Sequence, residues 1–349
     1  MEPRALSEYV HVLRPLLPLD AFRQRPLRLA WLALHALIVT GSIVAIAHGW
    51  GGLWGAAALS LVIGHSFAGG AFVAHELLHG AVMRDSRLRH VIGWFAFLPF
   101  VLSPRLWTVW HNKIHHGHTM QLGVDPDLYP SLVEYRASRV LRIVEQFSLG
   151  RGHLFGVASL FLGFTGQGLQ VLVSLIGDRR YFSRREQLLT LGETLAGVVV
   201  WLALGLALGP LRMLFAFGLP LLVANAVVMG YIVTNHGLSP YTEVNDPLLN
   251  SLTVTTPRLM QLLHLNFGFH VEHHLFPSMS SAHAPAVAQL VREHWPERYQ
   301  SMPLTQALWQ LVRTPRIHLT ATTLVDPQSG RQWSTLMPKA LPRLAAVHR

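Results

Sequence analysis

The sequence contains no cysteine. Disulfides, thiolate-held zinc and iron–sulfur clusters are therefore excluded within it. Any metal it binds must be held by His, Asp, Glu or Asn. Charge is also scarce: Asp, Glu, Lys and Arg make up 13% of the 349 residues, against about 25% in a typical soluble protein. Carboxylates are the rarer sign, with 18 Asp and Glu against 28 Lys and Arg, leaving a formal charge of +10. The arginines lie beside apolar segments and form no stripe with interleaved aromatics. They suit anionic lipid heads or an acidic protein partner better than a nucleic acid. No internal repeat or low-complexity tract is present.

Apolar residues fill this space, at 51% with a mean hydropathy of +0.34, which points to a membrane protein. A span needs about 20 apolar residues. Four segments qualify: Leu29–Ala47, Leu53–Ala74, about Leu188–Leu208 with Glu193 near its start, and Met213–Val233 with Pro220 and Asn225. The run at 91–102 is too short and reads as interfacial or re-entrant. The run at 154–176 is expected on the membrane surface or against the core. Arg14, Arg23, Arg25 and Arg28 precede the first span; Arg84, Arg87 and Arg89 follow the second; Arg179, Arg180, Arg184 and Arg185 precede the third. The intervening hairpin loops carry almost no positive charge. Both termini, 75–187 and 234–349 are thus expected on the cytoplasmic side. The N-terminus shows no cleavable signal pattern.

Histidine is in excess, at 21 residues, and the expected topology gathers the dense clusters on one membrane face. HELLH (His75, His79) follows the second span. HNKIHH (His111, His115, His116) lies in the next segment, His236 ends the fourth span, and HVEHH (His270, His273, His274) follows. Helix positions four apart share a face, so His75 and His79 can converge, as can His111 and His115, or His270 and His274. His116 stands about 140° from His111 on an α-helical wheel and would need a distortion to reach the same point. The His115–His116 doublet suits service to two neighbouring metal ions. Nine imidazoles are too many for one ion and about right for two; imidazole accepts Zn, Cu, Fe or Ni, and oxygen chemistry on apolar substrates favours iron.

Each cluster also has a plainer reading. HELLH alone matches zinc metalloproteases, with Glu76 as general base, but a zinc protease would leave the other two clusters without a task. Glu76 and Glu272 are instead expected to hydrogen-bond ligand histidines. Asp125 and Asp127 in GVDPD, and Asp246 in EVNDP, read equally as turn formers and as partners of ligand histidines. His118 faces away from the box and is expected to be a bystander. His264 is read as packing, His35, His48 and His65 as helix–helix contacts, and His90 and His348 as ordinary surface or packing residues. Trp94, Phe95, Trp107 and Trp110 suit either an interfacial belt or the wall of an acyl tunnel. GRGHLFG at 150–156 follows no strand and reads as a loop.

The three boxes HELLH, HNKIHH and HVEHH, the LFP after the last, and the His at the end of the fourth span resemble the membrane fatty acid desaturase superfamily over roughly residues 30–300. The boxes are most similar to those of its acyl-lipid and bacterial acyl-CoA-type members. The resemblance implies two irons, dioxygen as co-substrate and desaturation of a long-chain fatty acyl group. It places His75, His79, His111, His116 and His273 on one iron. His115, His236, His270 and His274 fall on the other, with a water near Asn235. Hydroxylases and ketolases share this pattern, so they remain alternatives. No HPGG haem motif occurs, and electrons are expected from a separate ferredoxin or cytochrome b5-type carrier. The expected fold is all-α: about four spans under a cytoplasmic helical cap, in a bacterial inner membrane. The expected divisions are 1–28, a membrane domain at 29–277 and a tail at 278–349.

Overall fold

The computed structural model describes residues 2–337; His348, with the rest of 338–349 at the end of the expected tail, lies outside them. A short amphipathic helix, α1 (Leu6–Leu13), leads to α2 (Leu29–Ala47) and α3 (Gly52–Leu78), joined by a glycine turn in which Gly51 has φ +77°. Asp85 caps α4 (Ser86–Phe97) by accepting the N–H groups of Arg87 and Leu88, each at 2.9 Å. The chain then bends by 99°. Val101 takes φ +54° at the corner, and Pro104, which cannot continue a helix from behind, opens α5 (Pro104–Trp107). A π-helical turn, Thr108–His115, follows without a break.

Next come α6 (Leu132–Ala137) and α7 (Arg139–Glu145), then α8 (Ala158–Leu175), α9 (Arg184–Leu208), the short α10 (Pro210–Met213) and α11 (Leu219–His236). Ser183 and Glu186 form a capping box at the start of α9, and Gly209 separates it from α10. The remainder holds α12 (Pro247–Asn250), α13 (Arg258–Leu263), α14 (His270–Leu275), α15 (Ala284–His294) and α16 (Leu304–Arg313).

Among the described residues, five helical stretches are long and apolar enough to cross a membrane: 26–47, 52–78, 155–175, 184–208 and 210–236. The bent pair 86–100 and 104–115 would make a sixth as one broken span. The sequence expectation of four misses the segment ending in α8. That segment also packs on the core, as expected: Phe164, Gly168 and Val171 are buried, and Asn225 of α11 accepts the N–H of Thr165 at 2.9 Å. Position in the bundle follows burial. In the most apolar window, 61% of α3 is buried but only 11% of α9, so α3 is central and α9 faces outward, where lipid replaces protein as solvent. Glu193 of α9 is accounted for by the bend, because its carboxylate accepts from His90 Nε2 (2.6 Å), Ser103 Oγ (2.6 Å) and Arg105 Nε (2.9 Å). His90, read as an ordinary surface or packing residue, is part of this pin.

Two small sheets depart from the all-helical expectation. β1 (Thr253–Thr255) pairs in parallel with β2 (Ser301–Pro303). β3 (Ile317–Thr320), β4 (Thr323–Val325) and β5 (Gln332–Ser334) form an antiparallel sheet. Their strands of three or four residues are too short to show a period of two in the sequence.

Candidate metal centre

The C-terminal ends of the two helices that carry isolated boxes, α3 and α11, meet the π-turn and α14. His75 and His79 lie one turn apart, with ring centroids 4.7 Å from each other. The second box escapes the wheel argument because its backbone is not α-helical. His116 N–H donates to the carbonyl of His111 at 3.0 Å, an i→i+5 bond whose wider turn advances each residue by less than the roughly 100° of an α-helix. His116 therefore returns to the side of His111, and their Nε2 atoms lie 3.2 Å apart. His111 and His115, expected to point together, instead stack with centroids 5.1 Å apart and enter different groups.

The first group links His75, His111, His116 and His273 through Nε2–Nε2 separations of 3.1, 3.2 and 3.0 Å. His79 completes it, 4.8 Å from His116 and 4.7 Å from His273 between ring centroids. The second links His115, His274, His270 and His236 at 3.3, 3.1 and 2.7 Å. Donor atoms of His75, His79, His111 and His273 in the first group, and of all four histidines in the second, lie within 4.8 Å of one another. Metal–nitrogen bonds of about 2.1 Å place opposite ligands about 4.2 Å apart, so each group has the size of one coordination sphere. The second group is buried, with His115, His236, His270 and His274 each at most 3% exposed; the first is half-buried.

Hydrogen bonding on the other ring nitrogens shows why such close approach fits a cation. His115 Nδ1–H donates to Asp125 at 3.0 Å, and His236 Nδ1–H donates to the Asn250 carbonyl at 2.8 Å. His274 Nδ1 faces Thr119 Oγ at 3.3 Å, and that hydroxyl's proton is already given to the His115 carbonyl at 2.8 Å. A neutral imidazole has one N–H, so the Nε2 atoms of His115, His236 and His274 carry bare lone pairs, and those of His115 and His274 face each other at 3.3 Å. Lone pairs repel at such distances unless a cation lies between them. In the first group, the buried His79 Nε2 has no partner among the described residues.

An apolar cavity of about 40 Å³ ends against both groups. Phe72, Phe97, Trp107, Trp110, Phe164 and Phe267 wall it, and His75, His111, His115, His236 and His270 close one end. Two of the four aromatic residues singled out in the sequence are thus in the wall. Trp94 instead donates to the Glu193 carbonyl at 3.0 Å, and Phe95 is 60% exposed.

The family model for fatty acid desaturases matches residues 52–305, which include all nine histidines and the whole cavity wall. The chain belongs to the fatty acid desaturase family. It is 24% identical to a Delta(12)-oleate desaturase of Trichosanthes kirilowii, over 71% of this chain and 72% of the relative. An sn-1 oleoyl-lipid 12-desaturase of Picosynechococcus is 22% identical, over 73% and 74%. An omega-6 fatty acid desaturase of Glycine max is 25% identical, over 69% and 67%. The protein is a membrane oxidoreductase that desaturates fatty acids.

In this desaturase the carboxylates divide into two kinds. Asp125 and Asp127 face His115, at 3.0 and 3.3 Å. Burial alone would raise the Asp125 carboxyl; the facing His115 and the N–H groups of Met120 and Asp127 hold it below its ordinary value. Asp127, which lacks that backbone support, is pushed up by burial, and it accepts from Trp110 Nε1 and Gln167 Nε2 at 2.8 and 2.7 Å. The other three touch no histidine, contrary to expectation for Glu76 and Glu272, whereas Asp246, read equally as a turn former, caps α12 by accepting the Leu248 N–H at 3.1 Å. Glu76 accepts from Ser280 Oγ (2.5 Å), the Ser281 backbone and side chain, and Arg28 (3.5 Å). Glu272 accepts from Thr253 Oγ (2.6 Å) and Tyr299 Oη (2.5 Å). Asp246 accepts from Arg298, the Arg4 backbone and Tyr9. These carboxylates join the segments that bear the boxes and do not orient the boxes themselves. Asn235 is buried, and its side-chain atoms have no partner among the described residues.

Sequence reasoning missed Thr119 and Asn250. Thr119 was signalled by its place four residues after His115. Asn250 acts through its carbonyl, which no side-chain pattern reveals. His118 is exposed and pairs with Gln121, at 2.8 Å, as a bystander would. His264, read as packing, instead lies in a buried row: its Nδ1 is 2.8 Å from Tyr231 Oη and its Nε2 is 2.9 Å from His65 Nε2.

Proposed function

We propose that the desaturase introduces a double bond into a long-chain acyl group of a membrane lipid, at two irons. In this reading His75, His79, His111, His116 and His273 hold one ion. His115, His236, His270 and His274 hold the other, with a water beside Asn235. The observation that carries it is the convergence of nine imidazoles in two groups at the end of one apolar cavity. Irons bound there would supply the activation of dioxygen and the removal of two hydrogens from adjacent methylenes. Two electrons from a separate ferredoxin or cytochrome b5-type carrier and two protons complete the reduction of dioxygen to two waters.

The chain's own residues do the positioning. The aromatic walls hold the acyl chain straight against the histidines and exclude water. Asp125, the Asn250 carbonyl and Thr119 keep the Nδ1 protons in place and the Nε2 lone pairs free. An acyl-lipid substrate is supported by the Picosynechococcus relative, whose name describes an oleoyl-lipid enzyme. The positive flanks of the spans support a cytoplasmic position for the histidine face. The zinc protease reading loses its base, since Glu76 is held by Ser280, Ser281 and Arg28.

The test is metal analysis together with product analysis under labelled dioxygen. Two irons per chain and a product with a new double bond and no label are expected. Label in the product would make the enzyme a hydroxylase or ketolase, and a His274→Ala protein with both irons and full activity would refute the ligand set.

A further inference from the structure

The GRGHLFG loop takes no part in the metal centre, yet its glycines are each required by shape. Gly150 has φ +85° and lies against the Thr314 carbonyl, where a Cβ would collide; at Gly156 a Cβ would fall 2.6 Å from the Ser148 carbonyl. The loop is thereby pressed onto the chain after α16, and Arg151 between the glycines is driven inward. Its side chain is only 4% exposed and pairs with Asp326 at 3.2 Å, while its buried Nε has no partner among the described residues.

Above Arg151 lies a cavity of about 780 Å³, lined also by His153, Val157, Val312, Arg313 and Arg331. This is the size of a site for a small organic ligand, about 300–1,000 Å³. Arg313 stacks on Trp309 with its guanidinium carbon 3.8 Å from the ring centroid, and Arg331 lies 5.0 Å from that of Trp333. Stacking fixes the planes of both guanidiniums and leaves their N–H edges free. Among the described residues neither has a carboxylate within salt-bridge reach, and the one carboxylate in the cavity, Asp326, is taken by Arg151, Ser329 and the Gln328 backbone. Three guanidiniums thus face one occupied carboxylate. Exposed apolar side chains stand at and beside this lining: Val312, 41% exposed, is in it, Phe155, 71% exposed, lies beside His153, and Trp309, 57% exposed, lies under Arg313. Arginine, tryptophan and exposed aliphatic side chains together are the composition of a membrane interface.

We propose that this cavity binds the phosphate of a phospholipid headgroup and that the lipid is the substrate. The second half rests on the desaturase reading. Its support is α8, which starts directly after Val157 of the cavity and carries Phe164 of the acyl cavity wall, a rise of about 10 Å over seven residues. Guanidinium edges pair with phosphate oxygens two at a time, and the exposed apolar side chains receive the start of the acyl chains.

The test uses the iron-loaded full chain in detergent, with native mass spectrometry of retained ligands. Phosphatidylglycerol, monogalactosyl diacylglycerol (no phosphate) and coenzyme A (phosphate, no lipid) are offered separately. Wild type is expected to retain phosphatidylglycerol at least tenfold over the galactolipid. The double variant Arg313→Gln/Arg331→Gln, both residues being exposed, is expected to lose that preference with iron content unchanged. The single variant Arg331→Glu, just before the outer strand β5, gives the same reading should the double variant not fold. Retention of coenzyme A through the same arginines keeps the phosphate site and overturns its assignment to a lipid. Equal retention of the galactolipid, or retention of phosphatidylglycerol that ignores the arginines, overturns the site. Desaturation assayed on the same preparations separates the readings. A protein that binds the phospholipid through the arginines without forming a double bond fails as a desaturase only. One that desaturates phosphatidylglycerol equally well without the arginines breaks the link to substrate.

Discussion

Asp125 is the residue on which the inner histidine group depends most. It is buried, it faces His115, and its own charge is held by two backbone N–H groups. An Asp125→Asn variant keeps the size but can present N–H to the ring, which favours the wrong tautomer. Activity or metal affinity is expected to fall about 10–100-fold, read as iron content and turnover side by side. Glu145 is a different case. Burial pushes its carboxyl up to about 7, against the pull of Ser148, Arg316 and Arg151, with Asp326 adding to the rise. The folded state therefore holds this proton more tightly than the unfolded chain does. Its contribution to stability is fully present below about pH 4.5 and declines as pH rises toward 7, by on the order of 3 kcal/mol. Glu145→Gln should flatten that slope in melting curves recorded between pH 5 and 8. The nine histidines were legible because box spacing is local. The partners of Glu76 were not, because Ser280 lies 204 positions away and only the folded chain brings the two together.

At the scale of elements, Asp85, Pro104, Ser183 and Gly209 set where helices begin and end, but no such local signal sets which backbone the second box adopts. A π-turn has no composition of its own; it is selected by the groups it brings together. The wheel argument still located it, since it required a distortion between His111 and His116. The run at 91–102, expected as interfacial or re-entrant, lies in the bent pair, which makes either one broken span or a re-entrant loop. Its pin, Glu193, was noticed only as an anomaly in a span. Removing that charge leaves His90, Ser103 and Arg105 short of an acceptor. Glu193→Gln is expected to cost on the order of 2 kcal/mol. It should also loosen the corner that carries Trp107, so melting temperature and activity should fall together.

For the whole molecule, the tail closes over the histidine face through three buried carboxylates. Glu76 ties α3 to Ser280, Glu272 ties α14 to Tyr299, and Asp246 ties the chain before α12 to Arg298 and to α1. Arg298 is 2% exposed. Arg298→Ala would strand a buried Asp246, at about 3–5 kcal/mol, and unfolding monitored by heat should show it even where metal content is normal. None of these ties follows from spacing, since each joins segments that only the fold makes neighbours.

The unequal burial of the two histidine groups has a consequence in time. On the two-iron reading, the inner ion sits behind four side chains that scarcely meet solvent, whereas the outer one is held by half-buried rings. A chelator should then strip the protein in two phases, a fast one and a slow one, passing through a long-lived form with a single iron. Reconstitution should run in the opposite sense, with the inner ion entering only while the tail is still open.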